Sequence, residues 1–215
     1  MPIRVCSYTK TIKGITVLDA IECTFEQGRI YGLQGKNGSG KTMLLRAIAG
    51  LILPTSGHVE IEGKIVGDDI AFPPSIGLLI ENPSFISRYT GAKNLELLAG
   101  LKGIASVDHI CNVLRQVGLD PTDARTYRKY SLGMKQRLGI ACAIMENPSI
   151  VLLDEPFNAL DPSGVSCVIQ AIAHMREQGS TTIVACHDVE ELRQISDEII
   201  TLAEGRVVSR EKVGS

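Results

Sequence analysis

The stretch Gly35-Lys36-Asn37-Gly38-Ser39-Gly40-Lys41-Thr42 follows a short apolar segment, Arg29–Leu33, and precedes a predicted helix over Lys41–Leu51. It fits the pattern G-x-x-x-x-G-K-[ST], whose glycines let backbone N–H groups wrap around phosphate oxygens at the positive end of a helix. Lys41 supplies a cation for the β- and γ-phosphates, and Thr42 a hydroxyl for Mg²⁺. A glycine-rich turn without a ligand is the simpler alternative, but the strand before it and the helix after it favour a phosphate loop.

A pair of carboxylates marks a second candidate site. The wholly apolar segment Ile150–Leu153, typical of a parallel strand covered on both faces, leads directly into Asp154-Glu155. Charges at the end of a buried strand are costly without a role, and open α/β sheets bind ligands at the carboxyl ends of their strands. We therefore expect Asp154 to hold Mg²⁺ and Glu155 to position or deprotonate an attacking water. A helix cap with a solvated neighbour is the alternative, less favoured beside a phosphate loop.

The rest of the chain alternates between strands and helices around a helical middle. Predicted strands are Ile3–Ser7, Ile21–Phe25, His58–Ile61, Lys64–Val66, Thr181–Cys186, Glu198–Leu202 and Arg206–Ser209, and predicted helices are Asn94–Leu101, Ser106–Val117, Leu132–Met145, Val165–Glu177 and Val189–Ser196. This order predicts an α/β fold with a parallel sheet and a small antiparallel layer. We expect one domain over residues 1–215, with a core of residues 1–81 and 149–215 and an inserted helical lobe of residues 82–148.

The composition is that of an ordinary globular protein. Hydrophobic residues make up 44% of the 215 residues, charged residues make up 21%, and the formal net charge is −2, so neither disorder nor a nucleic-acid partner is indicated. The six cysteines form no CxxC pair, which favours reduced, mostly buried thiols over disulfides or a metal cluster. The segment MPIRVCSYTK lacks a signal-peptide core, and no apolar run reaches the roughly 20 residues of a membrane span. We expect a cytoplasmic protein that reaches a membrane only through a partner.

A third motif narrows the family. The run Tyr130-Ser131-Leu132-Gly133-Met134-Lys135-Gln136-Arg137 opens a predicted helix upstream of the carboxylate pair, and it resembles a divergent form of the LSGGQ signature of ABC ATPases. Ser131 and Gly133 match the serine and second glycine of the signature, whereas Leu132 and Met134 replace its first glycine and its glutamine. Alone, the run would indicate an ordinary N-capped helix, but the family order of motifs is intact.

The resemblance to ABC ATPases covers nearly the whole chain and implies a phosphate-loop NTPase core, with ATP and Mg²⁺ as ligands. Ala159-Leu160-Asp161 resembles the loop whose aspartate communicates across a dimer, and His187 matches the switch histidine that contacts the γ-phosphate. Two such domains would pack head to tail around two ATP molecules, each touching the phosphate loop of one chain and Ser131 and Gly133 of the other. The resemblance further implies transmembrane permease subunits as partners at the inner face of the membrane, and it leaves homodimer and heterodimer open.

Three features depart from the family pattern. Glu81 stands where the family usually has a glutamine that binds Mg²⁺, and its carboxylate remains a metal ligand that adds negative charge near the phosphates. We hypothesise that Glu81 is functional, which an unchanged ATPase rate and Mg²⁺ dependence in Glu81→Ala would refute. Ile12 aligns with the aromatic residue that usually stacks on adenine, and either Tyr8, which is nearby in sequence, or an aliphatic contact would take its place. We expect the altered signature to lower hydrolysis or to favour a heterodimer with one better site.

Two short runs, Glu81-Asn82-Pro83-Ser84-Phe85 and SLGMKQR at residues 131–137, are similar to ATPase subunits of bacterial exporters of the bacitracin and lantibiotic type. The leading hypothesis is therefore the ATP-hydrolysing subunit of an exporter. One alternative is a non-transport ABC protein of DNA repair or translation. Such proteins usually carry a coiled-coil insert or tandem ATPase domains, and this sequence has the pattern of neither. The other alternative is a regulator that binds ATP with little hydrolysis, and the presence of Glu155 argues against it.

Overall fold

The computed structural model describes residues 2–81, 84–103 and 106–213, and within these ranges it has ten strands and six α-helices. The strands are β1 (Ile3–Ile12), β2 (Ile15–Phe25), β3 (Ile30–Gln34), β4 (Ser56–Ile61), β5 (Lys64–Ile65), β6 (Ile76–Leu79), β7 (Ile150–Asp154), β8 (Thr181–Cys186), β9 (Glu198–Ala203) and β10 (Arg206–Lys212). The helices are α1 (Lys41–Ile48), α2 (Gly91–Lys102), α3 (Val107–Gln116), α4 (Leu132–Ile144), α5 (Pro162–Glu177) and α6 (Val189–Ile195), with a 3-10 turn at Tyr127–Lys129. The predicted lobe boundary at residue 82, the loop residues Asn82 and Pro83, and the predicted domain end at residue 215 lie outside the described residues.

The larger sheet has the strand order β10-β9-β3-β8-β7-β6, and the strands from β9 to β6 run parallel. Every residue of β7 and β8 is buried, because helices cover both faces. Ile150 and Leu152 of β7 pack with α1 in one apolar cluster, whereas Val151 and Leu153 pack with α4 and α5 in the other. The carboxyl ends of β3, β7 and β8 therefore open at one edge of the sheet, and the predicted α/β class is confirmed.

The smaller sheet is antiparallel, with the order β2-β1-β4-β5, and its first hairpin is longer than predicted. The sequence predicted strands over Ile3–Ser7 and Ile21–Phe25, whereas the hairpin extends to Ile12 and resumes at Ile15. The pairing of β1 with β2 shifts register at three points. Such bulges interrupt the alternation of inward and outward side chains, so the two-residue period that the prediction used is lost past the first few residues.

Three helices lie between β6 and β7, within the stretch predicted to be helical. Helix α2 begins at Gly91, earlier than the predicted Asn94, because the side chain of Thr90 accepts a hydrogen bond from the N–H of Lys93 and caps the helix. Ser106 caps α3 in the same way. Buried side chains of α2, α3 and α4 join those of β7 and α5 in one apolar cluster, so the helical stretch shares a core with the sheet.

Helix α5 also begins earlier than predicted, at Pro162 and not at Val165. The carboxylate of Asp161 accepts a hydrogen bond from the N–H of Gly164 at 3.1 Å and caps the helix. Proline suits the first helical position because the N–H it lacks would have no partner within the helix. The Asp-Pro pair marks the start of a helix, but a prediction from the spacing of apolar residues alone does not detect it.

All six cysteines are free thiols, as predicted. Two of them, Cys23 and Cys186, are buried and the other four are intermediate, so their burial is less complete than predicted. Among the described residues, none of the helices combines the length and the apolar character that crossing a bilayer requires.

The contact between β6 and α4 leads to a stability prediction. A Cβ at Gly77 of β6 would overlap the carbonyl oxygen of Ala143 in α4, which is backbone and cannot rotate away. We expect Gly77→Ala to push the two elements apart and to lower the free energy of unfolding by about 1–3 kcal/mol. Urea denaturation measures this change.

The matched control is Gly100→Ala on the exposed side of α2, where open space surrounds the position. This variant is expected to raise the free energy of unfolding by up to about 1 kcal/mol, because alanine favours a helix more than glycine does. Equal effects of the two substitutions would contradict the close packing of β6 on α4.

Candidate functional site

The predicted phosphate loop, residues 35–42, joins β3 to α1. Gly40 stands immediately before the helix with a φ of 106°, where a Cβ would lie 3.1 Å from the side chain of Leu18. The helix start has no side-chain cap, so its first N–H groups are free for a ligand. Lys41 is 6% exposed, and its ammonium group donates to the carbonyl oxygen of Gly35 at 2.6 Å. The cation therefore lies folded over the loop, where phosphate oxygens would compete with that carbonyl.

Two open cavities meet at this loop, and every predicted residue from Gly35 to Thr42 lines at least one of them. The first is also lined by His187 and by residues 201–204 at the end of β9. The second is also lined by residues 15–17 of β2 and by the pair Asp154 and Glu155. Both include Asn37-Gly38-Ser39, so the phosphate loop, the carboxylate pair and the histidine face one continuous surface.

Asp154, the last residue of β7, meets the start of α1, so the structure brings together Asp154 and Thr42, which the sequence predicted separately as Mg²⁺ ligands. The hydroxyl of Thr42 donates a hydrogen bond to Oδ2 of Asp154 at 2.7 Å. Burial raises the pKa of the Asp154 carboxyl, and the hydrogen bond from Thr42 acts in the opposite direction. Oδ1 of Asp154 is buried and has no hydrogen-bond partner among the described residues. A hydroxyl beside an unsatisfied carboxylate oxygen fits a hard cation such as Mg²⁺.

Glu155 follows with a φ of 49°, a left-handed conformation that is strained for a residue with a side chain. Its N–H donates to the carbonyl oxygen of Ala185 at 2.7 Å, and the side-chain amide of Gln136 donates to its carbonyl oxygen at 2.9 Å. Its Oε2 lies 2.8 Å from Nδ1 of His187. The structure therefore brings together Glu155 and His187, which the sequence predicted separately. Gln136 was missed as an anchor of this turn, since nothing local in the sequence indicates a contact with Glu155.

Cys186 lies beside this pair, and its Sγ is within 4.8 Å of the donor atoms of Glu155 and His187. Burial raises the pKa of the thiol to about 12, so it stays protonated and adds no charge to the site. Its Sγ contacts a carboxylate oxygen of Glu191 at 3.2 Å. Of the two residues at the end of β8, His187 is therefore the better candidate for a role in proton transfer.

Glu81 lies close to the carboxylate pair but has a partner of its own. It lines a cavity together with Gln136, Asp154, Glu155 and Asn158. Its carboxylate forms an ion pair with the guanidinium of Arg46 on α1. The sequence predicted Glu81 as a metal ligand and missed Arg46, because the two residues belong to separate segments and share no local pattern.

The remaining predicted residues lie away from the two cavities at the phosphate loop. Ser131 caps α4 by accepting a hydrogen bond from the N–H of Met134 at 3.2 Å. A Cβ on Gly133 would lie 2.6 Å from the carbonyl oxygen of Ala159, so the helix passes close to the loop that follows Glu155. Asp161 caps α5, and hydrogen bonds from the Ser163 side chain and the Gly164 backbone lower the pKa of its carboxyl. Within the described chain, Ser131, Gly133 and Asp161 therefore have local structural partners.

Ile12 is at the end of β1, where it pairs with Ile15 across the hairpin turn. Ile15 lines the cavity beside the phosphate loop and is 69% exposed, whereas Ile12 is absent from the residues that line it. Of the two isoleucines at this hairpin turn, Ile15 is therefore the one that lies beside the phosphate loop. Tyr8 is buried at 1% exposure, and its hydroxyl donates to the carbonyl oxygen of Ile52, so it does not substitute.

The profile of the ABC transporter family matches residues 18–158. The chain is 47% identical to the uncharacterized ABC transporter ATP-binding protein YybJ of Bacillus subtilis (strain 168), over 98% of this chain and 97% of that protein. It is 40% identical to the bacitracin transport ATP-binding protein BcrA of Enterococcus faecalis, over 93% of this chain but 66% of that protein. It is 32% identical to the lantibiotic transport ATP-binding protein SrtF of Streptococcus pyogenes, over 90% of this chain and 83% of that protein.

Solved structures agree with these relatives. The ATP-binding cassette MJ0796, in a dimeric post-hydrolysis state bound to ADP and Pi, matches with a TM-score of 0.89 and 27% identity over 99% of both chains. The ATP-binding subunit of an ABC transporter matches with a TM-score of 0.89 over 99% of this chain and 90% of that one, and its 24% identity supports the fold alone. The family profile, the relatives and the site geometry lead to one conclusion: the chain belongs to the ABC transporter family, among its ATP-binding proteins.

Proposed function

We propose that this chain is the ATP-hydrolysing subunit of an ABC exporter of antibiotic peptides or similar amphiphiles. The observation that carries the proposal is the meeting of Lys41, the Thr42–Asp154 hydrogen bond and the Glu155–His187 contact around one surface. The substrate class rests on relatives named for bacitracin and lantibiotic transport.

Binding would begin with an exchange of partners at Lys41. Its ammonium group is buried and bonded to the carbonyl oxygen of Gly35. Phosphate oxygens are stronger acceptors for an ammonium group than a neutral carbonyl is. The uncapped N–H groups at the start of α1 would receive the same phosphates, so affinity comes from fixed amides and one cation.

Thr42 and Asp154 are the residues that would hold Mg²⁺. The buried Oδ1 of Asp154 has no hydrogen-bond partner among the described residues, which supports a role for it as an acceptor toward a cation or its water. Bound there, Mg²⁺ would neutralise charge on the β- and γ-phosphates. Asp154 itself would keep the Thr42 hydroxyl oriented with its lone pairs toward the metal, because that hydroxyl donates to the carboxylate.

Glu155 and His187 would manage the attacking water. The carboxylate of Glu155 would accept a proton from the water, and Nδ1 of His187 would fix the orientation of that carboxylate. The hydrogen bonds that Ala185 and Gln136 make to the Glu155 backbone hold the strained turn in place. A base fixed in this way needs little rearrangement at the moment of reaction.

The second half of the site would come from another chain. We infer that Ser131, Gly133 and Asp161 face the nucleotide of a partner subunit, in a homodimer or heterodimer that ATP closes and hydrolysis reopens. Their positions outside the cavities of their own phosphate loop support this arrangement. The dimeric form of the cassette MJ0796 supports it as well.

Coupling to transport would use the helical stretch. We infer that residues 1–81 and 149–215 form the ATPase core and residues 82–148 a helical lobe, as the sequence predicted. The chain would bind transmembrane permease subunits at the cytoplasmic face of the membrane, since the relatives are named as transport proteins. The side chain of Ile15 would contact the base, with Ile12 behind it on the hairpin.

Lys41→Ala tests the phosphate loop. Removal of the ammonium group that folds over this loop is expected to weaken binding of Mg²⁺–ATP by at least about 100-fold, because a charge-assisted contact to phosphate is lost. Isothermal titration calorimetry measures the affinity. Lys10→Ala is the matched control, because the Lys10 ammonium donates to the carbonyl oxygen of Leu53, away from the loop. Equal affinities in the wild type and Lys41→Ala would contradict the proposal.

Glu155→Gln separates hydrolysis from binding. The amide keeps the size of the side chain but cannot accept a proton, so steady-state ATPase activity is expected to fall by about 10²–10⁴-fold while ATP affinity is retained. Size-exclusion chromatography with ATP should then reveal a closed dimer that persists because hydrolysis does not reopen it. A wild type with no turnover would favour the regulator, and a fully active Glu155→Gln would remove Glu155 from the chemistry.

A further inference from the structure

The ion pair between Arg46 and Glu81 lies at the margin of the proposed metal site. The two side chains are 31% and 66% exposed. Exposed ion pairs add little to stability, because water and salt screen them, so the fold gains little from this one. A role at the site is the better account of why an arginine and a glutamate from separate segments meet there.

Arg46 is placed on the face of α1 that serves the metal site. It lies four residues after Thr42, and residues at that spacing share one side of a helix. Thr42 bonds to Asp154, and Arg46 forms its ion pair with Glu81. The same side of α1 therefore meets both carboxylates.

Negative charge is crowded at this point. Glu81, Asp154 and Glu155 line one cavity, and the other residues that line it, Gln136 and Asn158, are uncharged. Like charges that share a cavity at the surface of a protein repel each other, because water screens them incompletely there. The phosphates of a nucleotide would add further negative charge, so a third carboxylate needs a counter-ion whenever no metal is bound.

Glu81 is held at this position by its backbone as well. It follows β6 closely and has a φ of 61°, in the left-handed region that side-chain-bearing residues rarely occupy. Backbone strain of this kind is common where geometry serves function. The backbone of Glu81 is therefore fixed, and the ion pair with Arg46 sets the direction of its carboxylate.

We propose that Arg46 is a positioning residue that keeps Glu81 as its counter-ion until Mg²⁺ and nucleotide bind, and that Arg46 and Mg²⁺ compete for this carboxylate. The inference rests on the proposed function and adds a residue to it. Without metal, Arg46 neutralises Glu81 and lets the phosphates approach. With metal, the cation takes over that neutralisation and Arg46 is released.

The test compares nucleotide affinity with and without metal, so it needs no turnover. Isothermal titration calorimetry with adenosine 5′-(β,γ-imido)triphosphate gives a Kd in excess EDTA and a Kd in excess Mg²⁺. In Arg46→Met, which keeps length and removes charge, the ratio of the first Kd to the second is expected to rise by about tenfold. The rise comes from weaker metal-free binding, because Glu81 then repels the phosphates.

Two companion variants isolate the carboxylate. Glu81→Gln is expected to lower the ratio, because a carboxylate that favours the metal-bound state is lost. In its background Arg46→Met should change the ratio by less than about twofold. Arg46→Lys should restore most of the wild-type ratio, because it keeps the charge. Arg4→Met is the matched control, since it removes an exposed ion pair with Glu60 on the antiparallel sheet.

The outcomes are distinct. A wild type without affinity for the nucleotide would overturn the proposed function itself. A wild type that binds, together with an Arg46→Met ratio equal to that of wild type, would overturn this inference alone. An Arg46→Met effect of equal size with Glu81 and with Gln at position 81 would also overturn it, because the two residues would then act independently. If Arg46→Met does not fold, Arg46→Gln, which also removes the charge, replaces it with the same expected rise in the ratio.

Discussion

The hydrogen bond from Thr42 to Asp154 is the contact on which the site depends. It joins the first turn of α1 to the end of β7 across 112 residues of sequence at 2.7 Å. The two elements meet because β3, β8 and β7 are neighbours in one parallel sheet, so their carboxyl ends share an edge. The apolar side chains of α1 and β7 on one face, and of α4, α5 and β7 on the other, fix that edge in place. The fold thus serves to hold a phosphate loop against a carboxylate.

Charge at the site is balanced locally and not by the molecule as a whole. The formal net charge of the chain is only −2. Two cations of α1 lie at the site: Lys41 folds over the phosphate loop, and Arg46 pairs with Glu81. The pair of Glu155 and His187 is organised differently, since the Glu155 side chain contacts the histidine and the Glu155 backbone bonds to Ala185 and to the side chain of Gln136. The proposed binding and catalytic residues therefore depend on separate sets of contacts around the same surface.

Much of the fold and of the site could be predicted from the sequence, because those features follow local patterns. The phosphate loop, the apolar strand that leads into Asp154 and the signature-like run at Ser131 each consist of consecutive residues. The length of the first hairpin was not predicted, because bulges in β1 and β2 break the two-residue period. The start of α5 was placed too late, because the prediction followed the apolar residues and did not use the helix-start residues Asp161 and Pro162. Two contacts join segments that are far apart in sequence: Arg46 pairs with Glu81, and Gln136 bonds to Glu155. A local sequence pattern does not predict contacts of this kind.

The most direct measurement is a crystal structure of the Glu155→Gln chain with Mg²⁺ and ATP. The account predicts that the metal lies against the Thr42 hydroxyl with Asp154 beside it, directly or through one water. It also predicts that the Lys41 ammonium has left the Gly35 carbonyl for the β- and γ-phosphates. A nucleotide bound away from residues 35–42, or a metal held without Thr42 and Asp154, would contradict the account.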